Sequence, residues 1–257
     1  MTGAVVEALP GVVGWPLLVA LTGLVGSFLN VCISRLPVRE SIVFPGSHCP
    51  RCQAPIRFYD NVPLLSFAAL GGRCRACRAR ISWRYPLVEA LTIGVGVLVV
   101  WTLGATWEAL RALLLGLGLI AVTFTDLEHL LIPDRITLPG IVVGLLTQLY
   151  PAPRALIGAI AGALLAGAIF YGIALVSRGG MGGGDVKLAA MIGAFVGWQR
   201  VLVAIFLAVV AGGMVGLALI LTGRKRRKDP LPFGPFLALG GLLSALWGPA
   251  LLGWYLD

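Results

Sequence analysis

Two aspartates stand at the ends of apolar runs in a chain that otherwise carries little acid. Asp126 closes Ala121-Val122-Thr123-Phe124-Thr125-Asp126; Asp185 follows the glycines of Gly182-Gly183-Gly184-Asp185-Val186-Lys187 and opens the next apolar run. A carboxylate in or near hydrocarbon is costly, so an ionisable group there marks a functional site by default. Two of them suggest paired acid and base work. An ionised carboxylate takes a proton from water while its protonated neighbour donates to a carbonyl, a division that like-charge repulsion and low dielectric favour. The glycines at 179, 180, 182, 183 and 184 let backbone approach a substrate without a β-carbon in the way, and a glycine run before a helix leaves N–H groups free.

Each feature also has a plainer structural reading. Asp185 can cap the helix that begins at Val186. Asp126 can simply face headgroup water. Glu128 and Asp134 nearby show that a carboxylate in this stretch need not react, and Asp134, after Pro133 and before a helix, reads as a cap. His129, three residues beyond Asp126, can support it by hydrogen bonding or sit at the interface. Lys187 can be a snorkelling cation.

A second group of reactive side chains lies earlier. Cys49-Pro50-Arg51-Cys52 and Cys74-Arg75-Ala76-Cys77 are separated by 21 residues and hold four of the five cysteines. Two such knuckles resemble a zinc ribbon in which four thiolates complete a tetrahedron, at a spacing one residue beyond the usual range. The alternative is a pair of disulfides, which a reducing compartment disfavours. The neighbouring arginines favour thiolate over thiol. A four-cysteine site is closed, so its expected role is to fold the loop. Cys32 reads as packing, and His48 as a dispensable competitor.

The elements that must position these groups are membrane helices. The chain is 58% hydrophobic and 12% charged over 257 residues, with mean hydropathy +0.95. Apolar runs recur at 13–33, 86–104, 107–125, 136–150, 154–177, 186–199, 201–222 and 235–256. The composition predicts an all-α polytopic membrane protein of about eight spans, with 136–150 and 186–199 short for the purpose. Residues 1–15 carry one charge, Glu7, and no basic segment, so the first run is expected to stay as an anchor. Placing the N-terminus outside puts 17 of the 20 Lys and Arg inside, leaving only Arg111, Arg154 and Arg200 outside. The positive-inside rule therefore chooses N-out and, with eight spans, C-out. Asp126 and Asp185 then share the cytoplasmic face. The net charge of +9 belongs to short loops that include Arg178, Arg227 and Lys228, and no nucleic-acid-binding module is present. The expected division is a first helix over 1–36, a cytoplasmic tetracysteine loop over 37–85 and a membrane core over 86–257. No internal repeat or low-complexity tract is expected.

The motifs in order are similar to one family over nearly the whole chain. They are Gly26-Ser27-Phe28-Leu29-Asn30-Val31 with Arg35-Leu36-Pro37, both Cys-x-x-Cys knuckles, Asn61-Val62-Pro63, and Ile81-Ser82-Trp83-Arg84-Tyr85-Pro86-Leu87-Val88-Glu89. Asp126 with Leu131-Ile132-Pro133-Asp134, Gly180-Met181-Gly182-Gly183-Gly184-Asp185-Val186-Lys187-Leu188, and Pro232-Phe233-Gly234-Pro235 complete the set. The chain resembles the type IV prepilin peptidases, bacterial inner-membrane aspartic proteases of the Gly-x-Gly-Asp kind. The resemblance implies that Asp126 and Asp185 are the catalytic pair, with Gly182, Gly183, Gly184 and Lys187 in the active-site loop. It implies a prepilin or type II secretion pseudopilin as substrate, cut after the leader glycine at the cytoplasmic face. Relatives with the cysteine loop also methylate the new N-terminus with S-adenosylmethionine. For that second activity Gly72 and Arg73 are candidates, and Asn30 and Glu89 can line a substrate groove or serve methylation. Asn30, Glu89 and Arg84 otherwise read as inter-helix polar contacts. The stretch Ser41-Ile42-Val43-Phe44-Pro45 departs from the asparagine-rich segment usual before the first knuckle.

Three function classes compete: the peptidase, with or without methyl transfer; a carrier or channel, which needs acids at mid-bilayer; and a non-catalytic assembly factor with a zinc docking loop. The position of both acids at one face argues against the carrier.

Overall fold

Backbone in lipid must satisfy its own hydrogen bonds, and a long apolar stretch does so as a helix. The computed structural model describes residues 13–150, 153–177, 181–226 and 229–256. Glu7, Arg178, Gly179, Gly180, Arg227 and Lys228, named above, lie outside the described residues. Within them the chain is all-α, and the extended pairing is confined to two isolated bridges in the cysteine loop. Two compact units divide it, Met1–Ala109 and Leu110–Asp257.

The first unit holds α1 (Gly14–Arg35), a 3-10 turn (Phe58–Asp60), α2 (Leu65–Ala69) and α3 (Arg84–Leu103). α1 and α3 pack closely because small residues face each other. A β-carbon on Gly26 would come within 2.9 Å of Glu89 Cα, and one on Gly96 within 2.5 Å of Thr22 Cγ2. Polar contacts then pull the loop onto the pair. Ser27 Oγ donates to Asn61 Oδ1 (3.2 Å), and the Leu64 N–H donates to Glu89 Oε2 (2.9 Å).

The second unit holds α4 (Trp107–His129, its first turn shared with the first unit), α5 (Asp134–Thr147), α6 (Ala155–Val176), α7 (Gly183–Val196), α8 (Trp198–Leu221) and α9 (Gly234–Leu256). α7 is the centre: it packs on α5, α6, α8 and α9, and Leu188, Ala189, Met191, Ile192 and Ala194 are almost wholly enclosed. Glycine makes this possible. A β-carbon on Gly193 would stand 2.3 Å from the Gly162 carbonyl oxygen of α6, and one on Gly140 of α5 would stand 2.3 Å from Met191 Sδ.

Against eight expected spans, six helices among the described residues are long and apolar enough to cross a bilayer: α1, α3, α4, α6, α8 and α9. α5 and α7 are 14 residues each, about 21 Å of helix against a hydrocarbon core of about 30 Å. The chain ends α7 within the protein by other means. Gly197 turns at φ 82 directly into α8, and Gln148 Nε2 donates to the carbonyls of Phe195 (2.7 Å) and Ala194 (3.4 Å). Arg111 holds the far side of that amide. Helix-end carbonyls left bare in apolar surroundings would be costly, and Gln148, buried itself, removes that cost.

Gly193→Ala, which forces α6 from α7, is expected to destabilise the protein by about 1–3 kcal/mol. The check is the thermal unfolding midpoint in detergent, where a midpoint equal to wild type would contradict the close approach.

Candidate functional site

α4 carries its acid close to where it stops. The Leu130 N–H donates to the Asp126 carbonyl (2.9 Å), Leu130 takes φ 51, and the chain leaves the helix one turn past the carboxylate. Asp126 is 6% exposed. Its Oδ2 accepts the N–H of Gly234, the first residue of α9, at 2.8 Å. The first turn of a helix has N–H groups without intrahelical partners and the positive end of the dipole, so it is a natural seat for a carboxylate. The approach requires glycine: a β-carbon on residue 234 would lie 2.7 Å from Asp126 Oδ2. Phe233 fixes the start of α9 by stacking between Phe170 (6.0 Å) and Phe236 (6.3 Å). His129, a candidate support for Asp126, instead lies 4.0 Å from Glu128 Oε2.

Asp185 is the third residue of α7 rather than its cap. The Gly182 N–H donates to its Oδ2 (3.3 Å), and the Asp185 N–H returns a bond to the Gly182 carbonyl (3.2 Å). This half of a capping box leaves Oδ1 buried without a hydrogen bond. Asp126 stands close enough to act on Asp185 by charge. Two acids 59 positions apart in sequence thus come within electrostatic reach of each other, and carboxylates within such reach can share a proton.

The glycine loop has two different uses. Gly184 must be small because a β-carbon there would meet Ile132 Cβ at 2.8 Å; Gly183 faces open space. Lys187 does not snorkel. Its Nζ donates to both oxygens of Asp134, each at 2.7 Å. Asp134, read from sequence as a cap, is the first residue of α5 and makes no side-chain cap bond; Pro133 takes the capping position.

In the first unit the four loop cysteines come together. Their sulfurs all lie within 4.8 Å of one another, and Cys49 Sγ stands 3.8 Å from Cys77 Sγ. Tetrahedral thiolates at a metal–sulfur distance of about 2.3 Å have edges of about 3.8 Å, so the four fit a metal ion. None of the described cysteines is in a disulfide. Backbone N–H groups of Cys52 and Arg51 hold the Cys49 thiol down to about 6, which readies a ligand. The structure also shows a repeat that the sequence reading did not expect. The Cys49 N–H donates to the Ala54 carbonyl and the Cys74 N–H to that of Ala79; Gln53 and Arg78 take φ 59 and 58; His48 pairs with Pro55 and Arg73 with Arg80. Every element of the second knuckle sits 25 positions after its counterpart, under a shared Cys-x-x-Cys-x-Ala-x-Ile pattern. Asp60, between the knuckles, takes a forked bond from Arg75 of the second (Nε to Oδ2 2.9 Å, Nη2 to Oδ1 2.6 Å), which holds its carboxyl below the usual range. His48 bonds Gly46 and takes no part in the sulfur cluster, and Cys32 is buried in α1.

Asn30 and Glu89 are both buried between α1 and α3. Asn30 Nδ2 donates to the Tyr85 carbonyl (3.1 Å), and its Oδ1 is buried without a partner. Gly72 and Arg73 lie elsewhere, at the entrance to the second knuckle. Gly72 turns at φ 65 under the Phe67 ring, and Arg73 is exposed. The residue that site reading from sequence left without a role is Gly234. The available signal was a glycine between Phe233 and Pro235 at a helix start.

Fold and side-chain placement describe a multi-pass helical membrane protein that carries two buried-edge carboxylates, Asp126 and Asp185, in its second unit and a four-sulfur cluster in its first. Residues 113–217 match the type IV leader peptidase family, and residues 20–103 match the bacterial peptidase A24 N-terminal domain. Three similar proteins carry the name prepilin leader peptidase/N-methyltransferase. The one from Aeromonas salmonicida is 41% identical over 264 aligned residues, 91% of each chain. That from Pseudomonas aeruginosa is 39% identical, covering 91% of this chain and 90% of the relative. That from Burkholderia pseudomallei is 37% identical, covering 95% and 89%. No solved structure matches. The chain belongs to the type IV leader peptidase family.

Cobalt(II) added to the purified protein is expected to give thiolate-to-metal absorption at one ion per chain, lost in Cys52→Ser and in Cys77→Ser. A spectrum that keeps its intensity in both variants would exclude the four-sulfur site.

Proposed function

We propose that this protein is a bifunctional enzyme of the bacterial inner membrane. It cuts the leader from type IV prepilins or type II secretion pseudopilins and then N-methylates the new terminus. The observation that carries the reading is the convergence of Asp126 and Asp185 from the end of α4 and the start of α7. The pair holds one proton. The ionised member takes a proton from water as the water oxygen attacks the carbonyl of the leader glycine, and the protonated member donates to the carbonyl oxygen. Collapse returns a proton to the leaving amine and restores the pair. Gly234 keeps Asp126 oriented through its N–H, and the open side of Gly183 leaves room for an extended leader. Counted as eight spans, with α5 and α7 as short ones, an N-out, C-out topology brings this chemistry to the cytoplasmic face, where the basic leader waits beside the lipid bilayer; that count sets 17 of the 20 Lys and Arg inside and so favours this orientation.

The four-cysteine loop holds zinc in a structural role, supported by its sulfur spacing and duplicated knuckles. For the second activity S-adenosylmethionine supplies an electrophilic methyl group to the new N-terminal amine. The support is the relatives' name together with residues in the first unit that suit a polar ligand. Asn30 Oδ1 is a buried acceptor without a donor, and Glu89 stands beside α1 at the same packing interface; Arg73, exposed at the second knuckle, is a separate candidate for a carboxylate. Gly72 gives the chain its turn there.

A model prepilin is to be incubated with the protein in membranes and S-adenosylmethionine, with the mature N-terminus followed by mass. Wild type is expected to cleave and to add one methyl group. Asp126→Asn and Asp185→Asn are each expected to abolish cleavage; activity surviving either one removes the pair from the mechanism. Gly234→Ala, which pushes a β-carbon against Asp126, is expected to lower cleavage about a hundredfold. Unchanged turnover in a folded Gly234→Ala protein would show that the N–H is not positioning the acid.

A further inference from the structure

The carboxylates come from two different helices, so something must set the distance between them. The segment leaving Asp126 is short. α4 ends at His129, the chain turns at Leu130, and α5 begins at Asp134. The same segment touches the Asp185 turn twice. Ile132 packs into the core of the second unit and receives Gly184, whose missing side chain lets backbone meet Ile132 Cβ. Beyond it, Asp134 receives both hydrogen bonds from Lys187 at 2.7 Å. These contacts close a ring: Asp126, the turn at Leu130, Ile132 on Gly184, Asp134 on Lys187, and back two residues to Asp185.

We propose that the Lys187–Asp134 pair is the latch that sets the placement of Asp185 against Asp126. Lys187 is thereby a positioning residue for leader cleavage and not a reactant. The inference rests on the peptidase reading above. Residues at i and i+2 of a helix project to different faces, so Lys187 is turned away from the carboxylate of Asp185. Its ammonium is committed to both oxygens of Asp134. The pair is also exposed, Lys187 by 39% and Asp134 by 54%. Exposed ion pairs add little to global stability. The latch therefore acts locally, on the first turn of α7. Gly182, Gly183 and Gly184 put no side chain into that turn ahead of Asp185, and glycine backbone is the least restricted of any residue's.

Leader cleavage by the full-length protein in detergent tests the latch. Wild type is compared with Lys187→Met, Asp134→Asn, the double variant and Lys187→Arg. Each single loss is expected to lower kcat about tenfold with KM within about twofold, as a small misplacement of a reacting group does. The double variant is expected to fall no further than about twofold below either single one, because both remove the same contact. Lys187→Arg, which can still fork onto Asp134, keeps most activity. Raising salt from about 0.05 to about 1 M is expected to draw wild-type kcat toward that of the variants and to leave the variants flat, since salt screens an exposed pair. Thermal midpoints are expected to stay together throughout. The proposal is overturned if Lys187→Met loses cleavage that Asp134→Asn retains, if the two losses multiply in the double variant, or if both single variants match wild type. Folded wild type that cleaves no prepilin overturns the peptidase reading and this inference with it.

Discussion

The cost of keeping a carboxylate out of water governs the rest of this structure. A side chain charge at mid-bilayer is penalised by about 2.5–3.5 kcal/mol on insertion scales, and a buried polar atom without a partner by about 1–3 kcal/mol. Both aspartates escape the worst of this at helix ends. Asp126 meets the first N–H of α9, and Asp185 meets the N–H that precedes its own helix. Oδ1 of Asp185 is left buried and unbonded. An unsatisfied buried atom is a form of local strain that functional sites tend to carry.

The second unit is built around a short helix, α7, whose first turn carries Asp185. A 14-residue helix needs something to close its inner end, and the Gln148 amide supplies donors for its last carbonyls. Gly162 lets α6 approach α7 to backbone distance, and Gly140 and Gly144 of α5 make room for the side chains of Met191 and Phe195, the usual means of association where apolar burial no longer separates protein from solvent.

The first unit solves a different problem with different chemistry. Some fifty loop residues have little apolar surface to enclose, and such segments need cross-links. Four sulfurs at a single point, two knuckles of the same backbone form, and the Arg75–Asp60 fork between them give the loop its shape. Glu89 and Ser27 then fasten it to the helices through Leu64 and Asn61. Buried acid in α3 thus has a structural duty whatever else it does.

Much of this was legible in the residues alone. Hydropathy marks every long helix, because apolar length has no other use at that scale, and ranked 136–150 and 186–199 as short. Cysteine spacing announced a four-sulfur cluster, since two Cys-x-x-Cys knuckles bring ligands together locally. The two acids stood out because carboxylates are rare at apolar boundaries. What only tertiary structure decided are contacts between positions far apart in the chain. Gly234 meets Asp126 across 108 positions and Lys187 meets Asp134 across 53. No periodicity encodes such pairs; a glycine before a helix and a lysine after an acid each have several ordinary uses. The repeat of the knuckles was hidden for a related reason. It lies in backbone angles and hydrogen bonds that different side chains satisfy equally well, so only four of its positions carry the same residue in both copies.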